Sequence, residues 1–462
     1  MKAFVFRGLT WRAVALIACE TFVILGAVYF AAYVRLGAFG LEWTQGILPR
    51  ALLVAAVTQM CLYFGDLYDF RVLADPRELF VRSVQALGAT SLVLAALYFW
   101  FPELIIGRGV FILAALLVIT LLFGWRVLFE WTSRRLGPRE RLLLVGTGDA
   151  AVRLARELYD RRDIGIEIVG FIDPDPRKVG APVINPGVIG TIEDIPAIVR
   201  ARSVDQVVVS LSDARGKLPM DKLLEMKLDG VSFEHLASVY EKYTGKIALE
   251  NLRPSWLIFS DGFKKSRVQN VTKRLLDVSL SAIGLVLTLP LQAAVALAVK
   301  CSSRGPAMYH QQRVGQHGRV FTVHKFRSMR SDAEKTTGPV WAQADDRRIT
   351  PIGGLLRRTR LDELPQLWNV LVGDMSIVGP RPERPEFVQS LSREISFYGQ
   401  RHSVRPGLTG WAQVRYTYGA SVEDSMEKLQ YDLFYIKNMS TALDLFVMAS
   451  TVKTVLMRQG AR

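Results

Sequence analysis

The chain alternates long apolar stretches with charged segments, and the bracketing charges measure each stretch. Between Arg12 and Arg35 the only charge is Glu20; Arg82 to Glu103 and Arg108 to Arg126 enclose uncharged runs, and Arg50 to Asp66 a shorter one. Each is near the roughly 17 to 25 residues a membrane-spanning helix needs, the shorter one with Arg50 extending its head group to the interface. The pattern predicts four spans. Basic residues concentrate in MKAFVFRGLTWR, DLYDFRVLADPRELFVR and RVLFEWTSRRLGPRER, whereas LGAFGLEWTQGI and PELIIG carry few, which places both ends of the segment in the cytoplasm. The first run is too long for a signal peptide and lacks its small-residue cleavage site.

Beyond the fourth run the period changes. RLLLVG reads as a strand that opens into GTGDAAVRLARELYD, a glycine turn and a helix. Gly146, Gly148 and Ala151 fit G-x-G-x-x-A, and Asp173 in FIDPD lies where a ribose-binding acid would end the second strand. VDQVVVSL continues the alternation of strand and helix. The glycines serve close helix–strand packing equally well, so a nucleotide-binding domain and a structural module that keeps only the shape both stand. No tyrosine is followed four residues later by lysine, which leaves a nucleotide-sugar dehydratase or epimerase without its proton relay.

A fifth apolar run, VSLSAIGLVLTLPLQAAVALAV, lies between Asp277 and Lys300. Both flanks, VTKRLLD and KCSSRG, are basic, so both ends are expected on the cytoplasmic face. A re-entrant hairpin over about 275–300, broken at Pro290, meets that demand, with Ser279, Ser281 or Thr288 hydroxyls answering the carbonyl that proline frees. The alternative is an ordinary fifth span, which would put the downstream chain outside the cytoplasm.

Composition agrees with a membrane protein. Half of the 462 residues are apolar and the mean hydropathy is +0.21. The net charge of +15 suits anionic lipid and phosphate substrates. Without zinc-finger spacing or a basic-aromatic RNA-binding pattern, nucleic acid is not expected as a partner. Cys19, Cys61 and Cys301 are far apart and read as packing residues rather than ligands or disulfides.

Polar chemistry gathers after residue 300. Arg313, Lys325 and Arg327 stand in QQRVGQHGRVFTVHKFRSM, and GPRPERP and RPGLTG hold arginines on stiff turns, where little freedom remains to be lost on binding phosphate. Among them, RRTRLDELPQL carries the adjacent acids Asp362 and Glu363. Neighbours on a helix point about 100° apart, so the two do not share a proton as a facing pair would. The spacing predicts Asp362 as N-cap of a helix ELPQLWNVL with Pro365 in its first turn, and both acids ionised at its positive end. That arrangement serves equally a nucleophile and a metal ligand at phosphorus, or a helix start that only stabilises itself.

Residues 271–458 resemble the catalytic domain of the bacterial sugar transferases, the monotopic polyprenyl-phosphate phosphoglycosyl transferases. The matching pieces are KRLLD, the proline-broken run, QQRVGQHGRVFTVHKFRSM, RLDELPQLWNVLVGDMSIVGPRP, RPGLTGWAQV and KLQYDLFYIKN. The whole chain is similar to the long form of the family, and GASVEDSMEKLQYDLFYIKNMS to its exopolysaccharide branch. The resemblance implies three parts: a four-helix transmembrane domain (1–135), a Rossmann-like α/β cytoplasmic domain (136–264) and a mixed, mainly α catalytic domain (265–462) with the re-entrant helix. It implies transfer of a sugar 1-phosphate from a UDP-sugar to undecaprenyl phosphate with Mg²⁺ and release of UMP, starting exopolysaccharide or O-antigen repeat units at the cytoplasmic face of the bacterial inner membrane.

On this resemblance Asp362 would attack the sugar-bearing phosphorus, to give a phosphosugar-aspartyl intermediate that the lipid phosphate then attacks. Glu363 would bind Mg²⁺. Lys325, Arg327, Arg381 and Arg405 would contact phosphate, and Pro290 would break the membrane helix. Membrane lipid is an expected partner, and dimerisation is a reasonable role for the Rossmann-like domain. The sugar is not fixed by the motifs.

Overall fold

The computed structural model describes residues 11–43, 47–68, 76–136, 140–160, 165–210, 220–249, 260, 262–330, 333, 348–416, 419 and 421–456. The chain divides into two compact units. One comprises residues 1–147, 155–207 and 213–232, the other 148–154, 208–212 and 233–462.

In the first unit the apolar runs form α1 (Trp11–Trp43), α2 (Ile47–Phe64), α3 (Pro76–Trp100) and α4 (Arg108–Leu136). α1 packs on α2 and α4, and α3 on α2 and α4. Inward faces are small or branched, as with Ala27, Ala31, Ala51 and Leu94, while Phe22, Leu92 and Ile112 point outward. An apolar exterior is the pattern lipid requires, because water would penalise it and hydrocarbon does not. The single charge of the first run is explained by a partner: Glu20 pairs with Arg126 at 2.7 Å, and Arg126 also donates to the Leu67 carbonyl. Both side chains are fully buried. A charge inside an apolar bundle stands only when paired in this way.

The α/β pattern gives β1 (Glu140–Val145), α5 (Asp149–Asp160), β2 (Ile166–Ile172), β3 (Val188–Gly190), α6 (Ile195–Arg202), β4 (Gln206–Val209), α7 (Met220–Leu228) and β5 (Ser232–His235). The sheet order is β3-β2-β1-β4-β5, with β1–β2 and β2–β3 parallel. This is the doubly wound order of a Rossmann-like sheet. Gly146 takes φ +112°, a left-handed turn that glycine adopts without a Cβ penalty. Asp173 ends β2, as the sequence predicts.

The second unit holds α8 (Leu236–Thr244), α9 (Arg267–Ser302), the antiparallel hairpin β6 (Met308–Val314) and β7 (Val320–Phe326), then α10 (Pro351–Thr359) and α11 (Gln366–Val372). β8 (Ser376–Val378), α12 (Pro385–Glu394), β9 (Gly407–Thr409), α13 (Trp411–Arg415), α14 (Val422–Asn438) and α15 (Thr441–Leu456) follow. α14 is the core helix, burying Leu429, Leu433, Phe434 and Tyr435. This unit reaches back before residue 265: Glu241 of α8 pairs with Lys437 at 2.6 Å, and the Gly245 carbonyl accepts from the Trp411 indole.

α9 carries Pro290 inside one 36-residue helix. Its first part is bolted down by the KRLLD residues. Lys273 pairs with Asp444. Arg274 donates to the Val370 and Leu371 carbonyls at the C-terminus of α11, where a cation also meets the negative end of the helix dipole. Asp277 accepts from Ser376 Oγ and the Ile377 N–H of β8. Near its other end Val295 and Val299 pack on Phe326 and Leu356. Between these anchors Val286, Leu287 and Leu289 are about 70 % exposed. The expected use of hydroxyls at the proline needs correcting: Thr288 donates to the Gly284 carbonyl and Ser281 to that of Asp277, neither being the Val286 carbonyl that Pro290 frees. A threonine or serine hydroxyl reaches back three or four residues, so only position 289 could have served, position 290 being the proline itself.

Candidate active site

The acid pair lies where four segments meet. Arg360, at φ +58°, ends α10, and the chain then makes one 3₁₀ turn, Leu361–Glu363. α11 begins only at Gln366, with Pro365 as its N-cap. Asp362 is therefore not the helix cap predicted from sequence. The left-handed residue re-aims the chain before the helix can start, and the tight turn carries both acids. Asn369 of α11 fixes this turn against β7 by accepting from the His324 N–H and donating to the Thr322 carbonyl.

β7 and the loop after β8 supply the cations. Lys325 of β7 reaches Glu363 Oε1 at 3.1 Å and Arg381 reaches the same oxygen at 2.7 Å, with Arg360 at 3.8 Å. Burial alone would raise Glu363, but Arg381, Lys325 and Arg360 more than offset it and hold the carboxyl well below the usual range. Lys325 is lowered by burial, with Glu363 opposing the shift.

Asp362 is treated differently by its surroundings. It is buried, and its Oδ1 has no hydrogen-bond partner among the described residues. Burial, and then the charge of Glu363, push it up to about 6 against Lys325, Arg360 and Arg357. Asp362 is thus ionised less readily than Glu363, because its neighbour's charge and the loss of water both oppose ionisation.

A cavity of about 640 Å³ opens over Asp362. Among the described residues its walls carry twelve lysines and arginines against three acids. So cationic a space, with apolar wall from Met308, Phe326 and Phe387, suits a diphosphate bearing a less polar group. Asp362 lines it and Glu363 does not.

The four cations named from sequence have separate positions. Lys325 and Arg381 line the cavity and meet at Glu363. Arg327 also lines it, but its guanidinium is committed to the carbonyls of Ser303 and Arg304, fastening the chain that leaves α9. Arg405 is not brought to the acid pair; it lines a second cavity. The reason lies in the pairing of β8 with β9, in which Gly379 and Gly407 approach so closely that a Cβ on Gly407 would sit 2.1 Å from the Gly379 nitrogen.

Sequence reasoning missed the support behind Arg381. Buried Arg401 donates to the Arg381 carbonyl, to Tyr398 Oη and to Asp432. Asp432 sits inside KLQYDLFYIKN, and a lone acid in an otherwise apolar helix stretch was the available signal. No group of three metal-ligating side chains occurs among the described residues. Two adjacent carboxylates and a cationic cavity still fit Mg²⁺ as nucleotide enzymes use it, held by one or two carboxylates and by substrate phosphates.

Residues 268–458 match the family described as bacterial sugar transferase, and residues 64–224 a family described as CoA-binding domain. The UDP-N-acetylgalactosamine-undecaprenyl-phosphate N-acetylgalactosaminephosphotransferase of Aeromonas hydrophila is 42% identical over 228 residues, 49% of this chain and 53% of that one. The chain thus spans about half of this relative's length. The UDP-glucose:undecaprenyl-phosphate glucose-1-phosphate transferase of Xanthomonas campestris pv. campestris is 33% identical over 70% of this chain and 68% of its own. The exopolysaccharide production protein PSS of Rhizobium leguminosarum bv. phaseoli is 40% identical over 41% of this chain and 96% of its own.

Proposed function

We propose, from the premise that this chain belongs to the bacterial sugar transferase family, that it transfers a sugar 1-phosphate from a UDP-sugar to undecaprenyl phosphate. The observation that carries this reading is Asp362, a buried acid short of hydrogen bonds, in the wall of a cationic cavity. A carboxylate held out of water and short of hydrogen bonds is a stronger nucleophile than a solvated one.

In the first step a carboxylate oxygen of Asp362 attacks the phosphorus that bears the sugar. The bond from that phosphorus to the bridging oxygen breaks, and UMP leaves with the electron pair, so that a phosphosugar-aspartyl acyl phosphate remains. In the second step an oxygen of undecaprenyl phosphate attacks the same phosphorus and Asp362 departs as carboxylate. Lys325 and Arg381, held by Glu363, face the phosphoryl oxygens and offset their charge during both displacements. Mg²⁺ belongs to this reading: Glu363, next in sequence to Asp362, would be its carboxylate donor. When bound it further neutralises phosphoryl charge.

The membrane reading is four spans and a re-entrant α9 in the bacterial inner membrane, with the site on the cytoplasmic face. Among the described residues, five helices are long and apolar enough to cross. Support for α9 dipping in and returning comes from its anchors, since both ends pack on the same compact unit while the apolar middle is bare. The donor is a UDP-hexose of the kind named for the relatives, and the product serves exopolysaccharide or O-antigen assembly; the homodimer expected from sequence stays part of this proposal.

The test is direct. Purified full chain is incubated with undecaprenyl phosphate, Mg²⁺ and each common UDP-sugar, and UMP is measured. Release with at least one donor is expected; none with any donor overturns the reading. Cys301, exposed at the end of α9, should stay unlabelled when intact cells are treated with an impermeant thiol reagent.

A further inference from the structure

The second cavity has no part in the chemistry above. Its volume is about 900 Å³, and among the described residues it is lined by Lys265, Lys273, Arg274 and Arg405 with Asp277 as the one acid. Lys273, Arg274 and Asp277 are spent on the anchoring of α9. Among the described residues, the other two cations neither pair with an acid nor hold α9. The half-buried guanidinium of Arg405 has no partner among the described residues, and Lys265 Nζ donates only to the carbonyls of Gly262 and Lys437. Burial lowers this ammonium to about 8, and an anion beside it would reverse the shift.

The remaining wall is mixed, with Asn270, Gln316, Ser376, Gln400 and Ser403 beside an apolar part built by residues such as Phe263, Val271, Leu433 and Met439. Val271 belongs also to a stripe on α9, Val268, Val271 and Leu275, exposed at 73, 58 and 63 %. The spacing of three and four residues keeps the stripe on one face. It leads from the cavity toward the bare apolar middle of the same helix. A cavity that is cationic and apolar, joined to a lipid-facing stripe, matches a molecule with a phosphate and a hydrocarbon chain.

We propose that this cavity is a second, non-catalytic site for an anionic phospholipid, whose phosphate lies between Arg405 and Lys265 and whose chain follows Val271 and Leu275 along α9. Seated there, the lipid holds the unit at headgroup level. The inference rests on the membrane placement of α9 given above, but not on transfer chemistry.

Its test measures binding rather than turnover. Purified full chain in detergent is titrated with dioleoylphosphatidylglycerol, dioleoylphosphatidylcholine or inorganic phosphate and followed by native mass spectrometry. Phosphatidylglycerol should bind about tenfold more tightly than phosphatidylcholine, and R405Q and K265Q should each reduce its binding about fivefold while R405K restores it. D362N should bind it as the unsubstituted protein does, so a failed transferase assay leaves this result readable. Melting temperatures of the variants separate lost binding from lost folding. Equal binding of the two lipids, or unchanged binding in both R405Q and K265Q, overturns the proposal. Displacement of the lipid by equimolar inorganic phosphate overturns it too, by making the cavity a site for phosphate from solution.

Discussion

Two buried aspartates, Asp173 in the Rossmann-like half and Asp362 in the catalytic unit, meet opposite treatment. Asp173 accepts from the Thr147 hydroxyl, the Asp175 N–H and the Lys178 ammonium. Burial would raise it, but these partners outweigh burial and lower it. Asp362 keeps an oxygen with no hydrogen bond and is raised to about 6. The first acid is consumed by its own fold; the second is left partly unsatisfied, at a cost in stability, in the wall of the cationic cavity. Incomplete polar satisfaction, more than the presence of an acid at a promising position, separates a reactive site from a retained shape.

The largest effect should come from removing that unsatisfied charge. D362N should lower UMP release by about 10³-fold or more, as loss of a covalent nucleophile does. It should also raise stability, because the folded state holds the carboxylate less willingly than the unfolded chain does. A shift of roughly two pKa units corresponds to about 1–3 kcal/mol, read as a higher melting temperature at pH 7. An unchanged rate, or a lower melting temperature, would remove Asp362 from the contrast.

E363Q probes the neighbour. It withdraws the one anion that Lys325 and Arg381 share, and both are still partly in contact with solvent, so the stability loss should be about 2–4 kcal/mol in denaturant unfolding. Because Glu363 is what raises Asp362 after burial, the same variant should lower the Asp362 pKa. The unsubstituted enzyme should lose activity as pH falls through about 6, where Asp362 protonates. E363Q should move that acid limb to lower pH, whatever its effect on maximal rate. The stability sign is opposite: a raised carboxyl makes its contribution fully below its unfolded pKa, and that contribution is lost as pH rises toward about 6.

The periodic elements were legible because hydrophobic spacing alone decides them: four apolar runs, the strand-turn-helix at RLLLVGTGD, and α9. The KRLLD motif was legible as a motif only. That Arg274 caps α11, and that Asp277 locks β8, follows from pairings about 100 residues apart that no local pattern encodes. The helix cap given to Asp362 failed because a local rule competed with one left-handed residue, Arg360, whose conformation the sequence RRTRLDE does not announce. Arg381 and Arg405 look alike in sequence, each next to a proline, yet the parallel pairing of β8 and β9 sends them to different cavities.

The smallest effect should come from the other half of the contrast. D173N weakens the bonds to Thr147 and Lys178, and because the Lys178 side chain is half exposed the loss of stability should be about 1 kcal/mol. UMP release should stay within about twofold, since nothing in the transfer steps passes through Asp173. If the Rossmann-like half instead holds a nucleotide by this acid, then Asp173 must give up Thr147 or Lys178 to a ribose hydroxyl, and D173N should weaken nucleotide binding by at least about tenfold. Isothermal titration of the unsubstituted protein and D173N with NADH, UDP and UMP distinguishes the two. Binding that depends on Asp173 would mean that a satisfied acid can still serve a ligand by exchanging partners. The comparison would then turn on how tightly an acid is held, rather than on whether it is held at all.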